Sequence, residues 1–167
     1  MVASFRRFAH LNAKPPLVVD EVRSSQHSLA QNQGAEMSLP LHHMIESGPR
    51  PVAPFSHAVE ADGWVFVTGQ MPTDPDAPDA PLPEGIEAQT RRVMDNLGIV
   101  LGGIGLTLEN VTMARIYLTD FEGDYAAMNA IYQSYFEPGK LPARTTIGVT
   151  GLAVGARVEI DLIARRP

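Results

Sequence analysis

Two opposite charges stand on otherwise apolar strands near the C-terminus: Arg144 in LPARTTIGV and Glu159 in VEIDLIA. Opposite charges on apolar strands raise the question of what they are there to do. A guanidinium is a planar fork that grips a carboxylate through two bonds. A glutamate can orient water and take up or return a proton. The residues alone leave a second reading open, in which the two form a surface pair or are unrelated solvated charges, each individually weak.

Other chemistry-bearing groups are less promising. The five histidines are His10, His27, His42, His43 and His57. Only His42 and His43 are neighbours, and adjacent strand residues point to opposite faces, so they do not readily share one ion. There is no cysteine, hence no disulfide or thiolate site, and no bound metal is expected. Ser56-His57 is not a nucleophilic pair by adjacency alone. Gly102, Gly103 and Gly105 close a helix, whereas a phosphate loop must precede one. Trp64 and the helix tyrosines read as core or interface residues.

The elements that must position Arg144 and Glu159 can be drawn from pattern. LHHMIES is a candidate short strand. PFSHAVEADGWVFVTGQ predicts a hairpin turning at Ala61-Asp62-Gly63, since Asp-Gly readily takes positive φ. The Pro- and Asp-dense stretch from Met71 to Gly85 is a loop. A helix follows, with Ile86, Val93, Leu97, Leu101 and Ile104 on one face, Thr90 interrupting the stripe and Gly105 ending it. NVTMARIYLTD is a strand. FEGDYAAMNAIYQSYF is a second helix, with Met128, Ile131, Tyr132, Tyr135 and Phe136 in phase, stopped by Pro138 and Gly139.

The chain then closes with two strands, read as a terminal hairpin. The order β-β-β-α-β-α-β-β predicts a two-layer α+β domain, a mixed sheet with two helices on one face. Alternation puts Val158, Ile160 and Leu162 under the helices, with Glu159, Asp161 and Ile163 opposite. The same alternation separates Arg144, Thr146 and Gly148 from Thr145, Ile147 and Val149. We expect Arg144 and Thr146 to share the second, open face with Glu159 and Asp161.

Composition bounds the function. The 167 residues are 44% hydrophobic, enough for one domain with a real core. The net charge is −6, and it is uneven. Residues 1–36 hold four basic and three acidic side chains, while 37–167 hold nine and sixteen. An acidic body is a poor partner for phosphate backbones, so no nucleic-acid partner is expected. No apolar run reaches membrane-spanning length, and no membrane partner is expected. Residues 1–36 lack the pattern of a secretory signal. They read as a flexible N-terminal extension, or as the product of an upstream start with Met37 as the working one. The expected location is the cytoplasm.

Across residues 42–165 the sequence resembles the reactive-intermediate deaminases, the Rid or YjgF-like family. The resemblance rests on APFSHAV, VFVTGQMPTDP, EAQTRRVMDNLGIVL, NVTMARIYLTD, MNAIYQSYF, LPARTTIGV and VEIDLIA in that order and spacing. It implies a fold like trimeric chorismate mutase, a homotrimer, and three sites in the clefts between subunits. It implies cofactor-free hydrolysis of small anionic enamine and imine acids of the 2-aminoacrylate type to 2-oxo acids and ammonia. A deaminase for a larger, 2-aminomuconate-like acid and a non-catalytic ligand-binding or chaperone-like trimer are the alternatives.

The resemblance also implies roles. Arg144 binds the substrate carboxylate, and Glu159 holds water and shuttles a proton. Thr68 and Gly69 line the pocket, Asn129 lies near it on the second helix, and Thr146 forms part of its wall. Phe55 stands where many members have tyrosine, so it offers apolar packing without a hydroxyl. His57 stands where glutamine is frequent and is expected to alter the pocket rim.

Overall fold

In the computed structural model, residues 39–167 are described, so the expected extension at 1–36 lies outside the described residues. β1 (Leu41–His43) and β2 (Ala58–Ala61) pair antiparallel, and β2 turns directly into β3 (Trp64–Gln70). The two-residue turn is Asp62-Gly63, with φ of 51° and 77°. Positive φ at both positions is what a tight hairpin matching strand twist requires. Only Leu41–His43 of LHHMIES is strand, and the chain turns after it.

The first helix, α1 (Ile86–Gly103), presents Ile86, Val93, Leu97 and Leu101 to the core as expected. Thr90 does not break the stripe. It is fully buried, and its hydroxyl donates to the Ile86 carbonyl one turn back, which cancels its polarity. β4 (Val111–Leu118) leads into α2 (Phe121–Gln133). Asp120 caps α2 by accepting from the Gly123 amide at 3.0 Å. α2 ends at Gln133, short of the expected stop at Pro138, where the Ser134 hydroxyl takes up the Ile131 carbonyl.

β5 (Ala143–Gly148) and β6 (Val158–Arg165) complete one six-stranded sheet, in the order β1-β2-β3-β6-β4-β5. The expected terminal hairpin is not there. β5 runs parallel to β4 at the sheet edge, and β6 runs antiparallel between β3 and β4. The two closing strands therefore flank β4 from opposite sides.

Both helices cover one face of this mixed sheet. Ala58, Val65, Val67, Ala114, Ile116, Leu118, Val158, Ile160 and Leu162 meet α1 and α2 in a single apolar core. Burying such side chains is the main stabilising term, roughly 1.5–3 kcal/mol for each large one. The register corrects one expectation. Arg144 pairs with Ala114 and Thr146 with Ile116, both buried, so Arg144 and Thr146 lie on the helix side. Glu159 pairs with Tyr117 and Asp161 with Arg115, on the open side. Alternation had grouped the residues of each strand correctly, but β5 carries its charged set to the opposite face from β6.

Two polar clamps tie loops to this frame. Asn96 donates from α1 to the carbonyls of Met71 and Thr73, both at 2.9 Å, which anchors the proline-rich loop. The buried Asp124 carboxylate receives Arg157 through two bonds, fixing α2 to the start of β6.

Candidate active site

The sequence-predicted residues form two groups in this chain. The first surrounds Arg144 on the outer edge of the sheet. Its Nη1 donates to Asn129 Oδ1 at 2.5 Å, its Nη2 to the Tyr125 hydroxyl at 3.3 Å, and its guanidinium carbon lies 5.1 Å from the centre of the Tyr132 ring. A cation over an aromatic face is held electrostatically as well as sterically. Asn129, Tyr132, Gln133, Leu141, Pro142 and Arg144 line an open cleft. Burial pushes the Tyr132 phenol up to about 12, against the lowering effect of the Arg144 charge. The Tyr132 hydroxyl and the Thr146 Oγ1 are buried without a hydrogen-bond partner among the described residues.

Tyr125 and Tyr132 were missed as neighbours of Arg144. Helical spacing was the available signal, since they stand four residues before and three after Asn129 and share its side of α2.

The second group lies on the open face. Glu159 is seated on Gly69 so closely that a Cβ there would come within 2.0 Å of its Oε1. Thr68 and Gly69 together oppose Asp161 alone, because the β3–β6 register slips between Val67 and Gln70. Such a bulge re-aims the backbone locally. Thr68 is fixed by its hydroxyl, which donates to the Ser56 carbonyl at 2.6 Å, and by its amide, which donates to the His57 carbonyl at 3.0 Å. Phe55 and Gly69 line one small cavity with Gln70 and Met71.

Partial burial, and then the Asp161 carboxylate, raise the Glu159 pKa above the ordinary range. Asp161 itself is engaged, accepting from Arg115 Nε at 2.8 Å and the Tyr117 hydroxyl at 3.0 Å. Among the described residues, Glu159 is thus the carboxylate left available on this face.

His57 is not a rim residue. It is 2% exposed, its Nδ1 accepts from the Ile45 amide at 2.9 Å, and its Nε2 lies 2.8 Å from the Pro49 carbonyl. The pairing fixes a neutral ring with the proton on Nε2. His57 therefore pins the turn between β1 and β2 from within. His42 and His43 turn to different surroundings, His42 toward Ser56 Oγ at 3.4 Å and His43 toward Glu60 at 3.4 Å.

A mixed six-stranded sheet under two helices is the architecture of the chorismate-mutase-like class of α+β fold. The chain matches the family model described as Endoribonuclease L-PSP over residues 45–166. It is 39% identical over 119 residues to a RutC family protein of Synechocystis, a match covering 71% of this chain and 91% of the relative. It is 35% identical over 116 residues to the mouse 2-iminobutanoate/2-iminopropanoate deaminase, covering 70% and 84%. The crystal structure of the Yersinia pestis Rid family protein YyfA superposes with a TM-score of 0.71 at 33% identity, covering 77% of this chain and all of that one. The chain belongs to the YjgF/Rid family.

Proposed function

We propose that this protein is an enamine/imine deaminase whose site is completed between subunits of a homotrimer. The observation that carries this reading is the division of the two groups. Arg144 is held outward at the sheet edge by Asn129 and Tyr132, while the half-buried Glu159 lies on the open face. Each is half of a site for an anionic imine. The open face also exposes Trp64, Phe66 and Ile147 beside the Arg115–Asp161–Tyr117 network. Exposed apolar surface of this kind favours association.

In the proposed reaction Arg144 binds the carboxylate of a 2-imino acid through paired bonds. Glu159 holds water near the imine carbon and accepts its proton as the C–O bond forms. It returns that proton to the nitrogen to give the carbinolamine. It then takes the new hydroxyl's proton and passes it to the nitrogen as C=O forms and the C–N bond breaks, so ammonia leaves with the 2-oxo acid. A carboxylate whose pKa is raised is suited to both halves of that exchange. The imine activity of the mouse relative supports the substrate class. The family description names an endoribonuclease, but the net charge of −6 opposes binding of an RNA backbone.

The test is coupled turnover. A pyridoxal-phosphate enzyme generates 2-aminoacrylate, and 2-oxo acid release is followed with and without this protein. Acceleration that disappears in Arg144→Ala is the expected result. No acceleration sinks the deaminase reading, and light scattering that shows a stable monomer at micromolar concentration sinks the intersubunit site.

A further inference from the structure

The side of α2 that faces the sheet edge carries more than the expected asparagine. Phe121, Tyr125, Asn129 and Tyr132 follow one another at spacings of four, four and three, so they share one stripe of the helix. Gly148 lets that stripe approach β5, since a Cβ there would stand 3.2 Å from the Cβ of Phe121. Tyr125 packs on Phe121 with ring centres 5.1 Å apart, which carries its hydroxyl to Arg144 Nη2.

The donors of Arg144 are unequally committed. Nη1 gives one N–H to Asn129 Oδ1, and one guanidinium face is covered by Tyr132. Nη2 makes only the 3.3 Å contact to Tyr125, which is long for a charged donor. Because the Tyr125 oxygen accepts in that contact, its own proton is left to donate. No acceptor for it lies among the described residues, and Tyr125 is 36% exposed. Phe55 has no hydroxyl to offer.

We infer that Tyr125 is a specificity-determining residue of the carboxylate subsite, donating its phenol proton to the same carboxylate that Arg144 binds. A carboxylate oxygen placed between Nη2 and the phenol receives one bond from each, and the Nε edge serves the second oxygen. This arrangement selects acids over their neutral amides, because a carboxylate presents two accepting oxygens to the donors of Nη2, Nε and the phenol, whereas an amide presents one. The inference rests on the proposed reading of Arg144.

The experiment is calorimetric titration of the full chain with 2-oxobutanoate, a stable product-like acid, and with 2-oxobutanamide. The unchanged protein, Tyr125→Phe and Arg144→Ala are compared. Tyr125→Phe keeps the ring that packs on Phe121 and removes only the hydroxyl. One bond to a charged group corresponds to roughly tenfold in affinity. Binding of the acid should therefore weaken about tenfold in Tyr125→Phe, while binding of the amide, which offers the phenol no charged acceptor, weakens less. In turnover, KM should rise by more than kcat falls. Equal binding of the acid by Tyr125→Phe and the unchanged protein overturns the inference alone, as does an equal loss for acid and amide, which would indicate altered packing. Failure of the unchanged protein to bind the acid overturns the proposed function and the inference together.

Discussion

Glu159 lies directly across the Cα of Gly69, with its Oε1 2.0 Å from where a Cβ on that residue would stand. No real pair of atoms tolerates that distance, so the glycine is what allows the carboxylate its position. Gly69→Ala should push the Glu159 side chain aside while the buried strand residues around it stay packed. A displacement of about 1 Å at a reacting group costs on the order of 10²-fold in rate. Deaminase kcat/KM should fall by about that factor with little change in melting temperature. Wild-type turnover in Gly69→Ala would show that the placement of Glu159 is irrelevant.

Glu159 also has a signature in stability. Its pKa in the folded chain is raised, chiefly by burial. Between the ordinary carboxylate range and that raised value the folded form binds more protons than the unfolded one. Stability from this group is therefore complete at low pH and is lost as pH rises through the folded value. Glu159→Gln removes the titration. Denaturant melts from about pH 4 to about pH 7 should show the variant gaining on the parent as pH rises. A constant difference across that range would show that Glu159 is not desolvated.

Much of the fold was legible because it is local. The Asp62-Gly63 turn, the two helical stripes and the strand alternation are all set within a few residues, and the element order followed from them. What was not legible depends on long-range pairing. The Val149–Arg157 connection contains Gly151 and Gly155 and reads like a hairpin loop, yet β6 inserts between β3 and β4. That choice is made by strands far apart in sequence. Alternation likewise says which residues of β5 share a face, but not which face meets the helices. Hence alternation put Arg144 and Glu159 on one face, whereas the pairing sets them on opposite faces. The role of His57 was hidden for a similar reason, since its partners Ile45 and Pro49 meet it through a turn with no strong sequence signal.

That role can be tested against its chemical equivalents. The neutral ring of His57 supplies one acceptor and one donor, and a glutamine amide supplies the same two. His57→Gln should therefore keep the bonds to the Ile45 amide and the Pro49 carbonyl. His57→Leu fills similar space but leaves two backbone groups unpaired. Each unpaired buried group costs roughly 1–3 kcal/mol. Urea melts should place His57→Gln near the parent and His57→Leu well below it. Equal stability of the two variants would remove the clamp.

Arg144 separates charge from shape. Its guanidinium simultaneously bonds Asn129, contacts Tyr125 and covers the Tyr132 ring. An ammonium on a flexible stem keeps the charge but cannot satisfy these partners and a carboxylate at once. Arg144→Lys should keep the fold and lose most of the activity. Arg144→Ala should lose more, on the order of 2–4 kcal/mol of transition-state binding if the pair is well desolvated. Asn129→Ala should fall between the parent and Arg144→Lys, because it frees Nη1 without removing the fork. Measuring kcat and KM for all three on an enzymatically generated imine, with assembly state checked for each, gives the order directly. An Arg144→Lys variant as active as the parent would mean that the site needs only a positive charge, and the bidentate grip on a carboxylate would have to be abandoned.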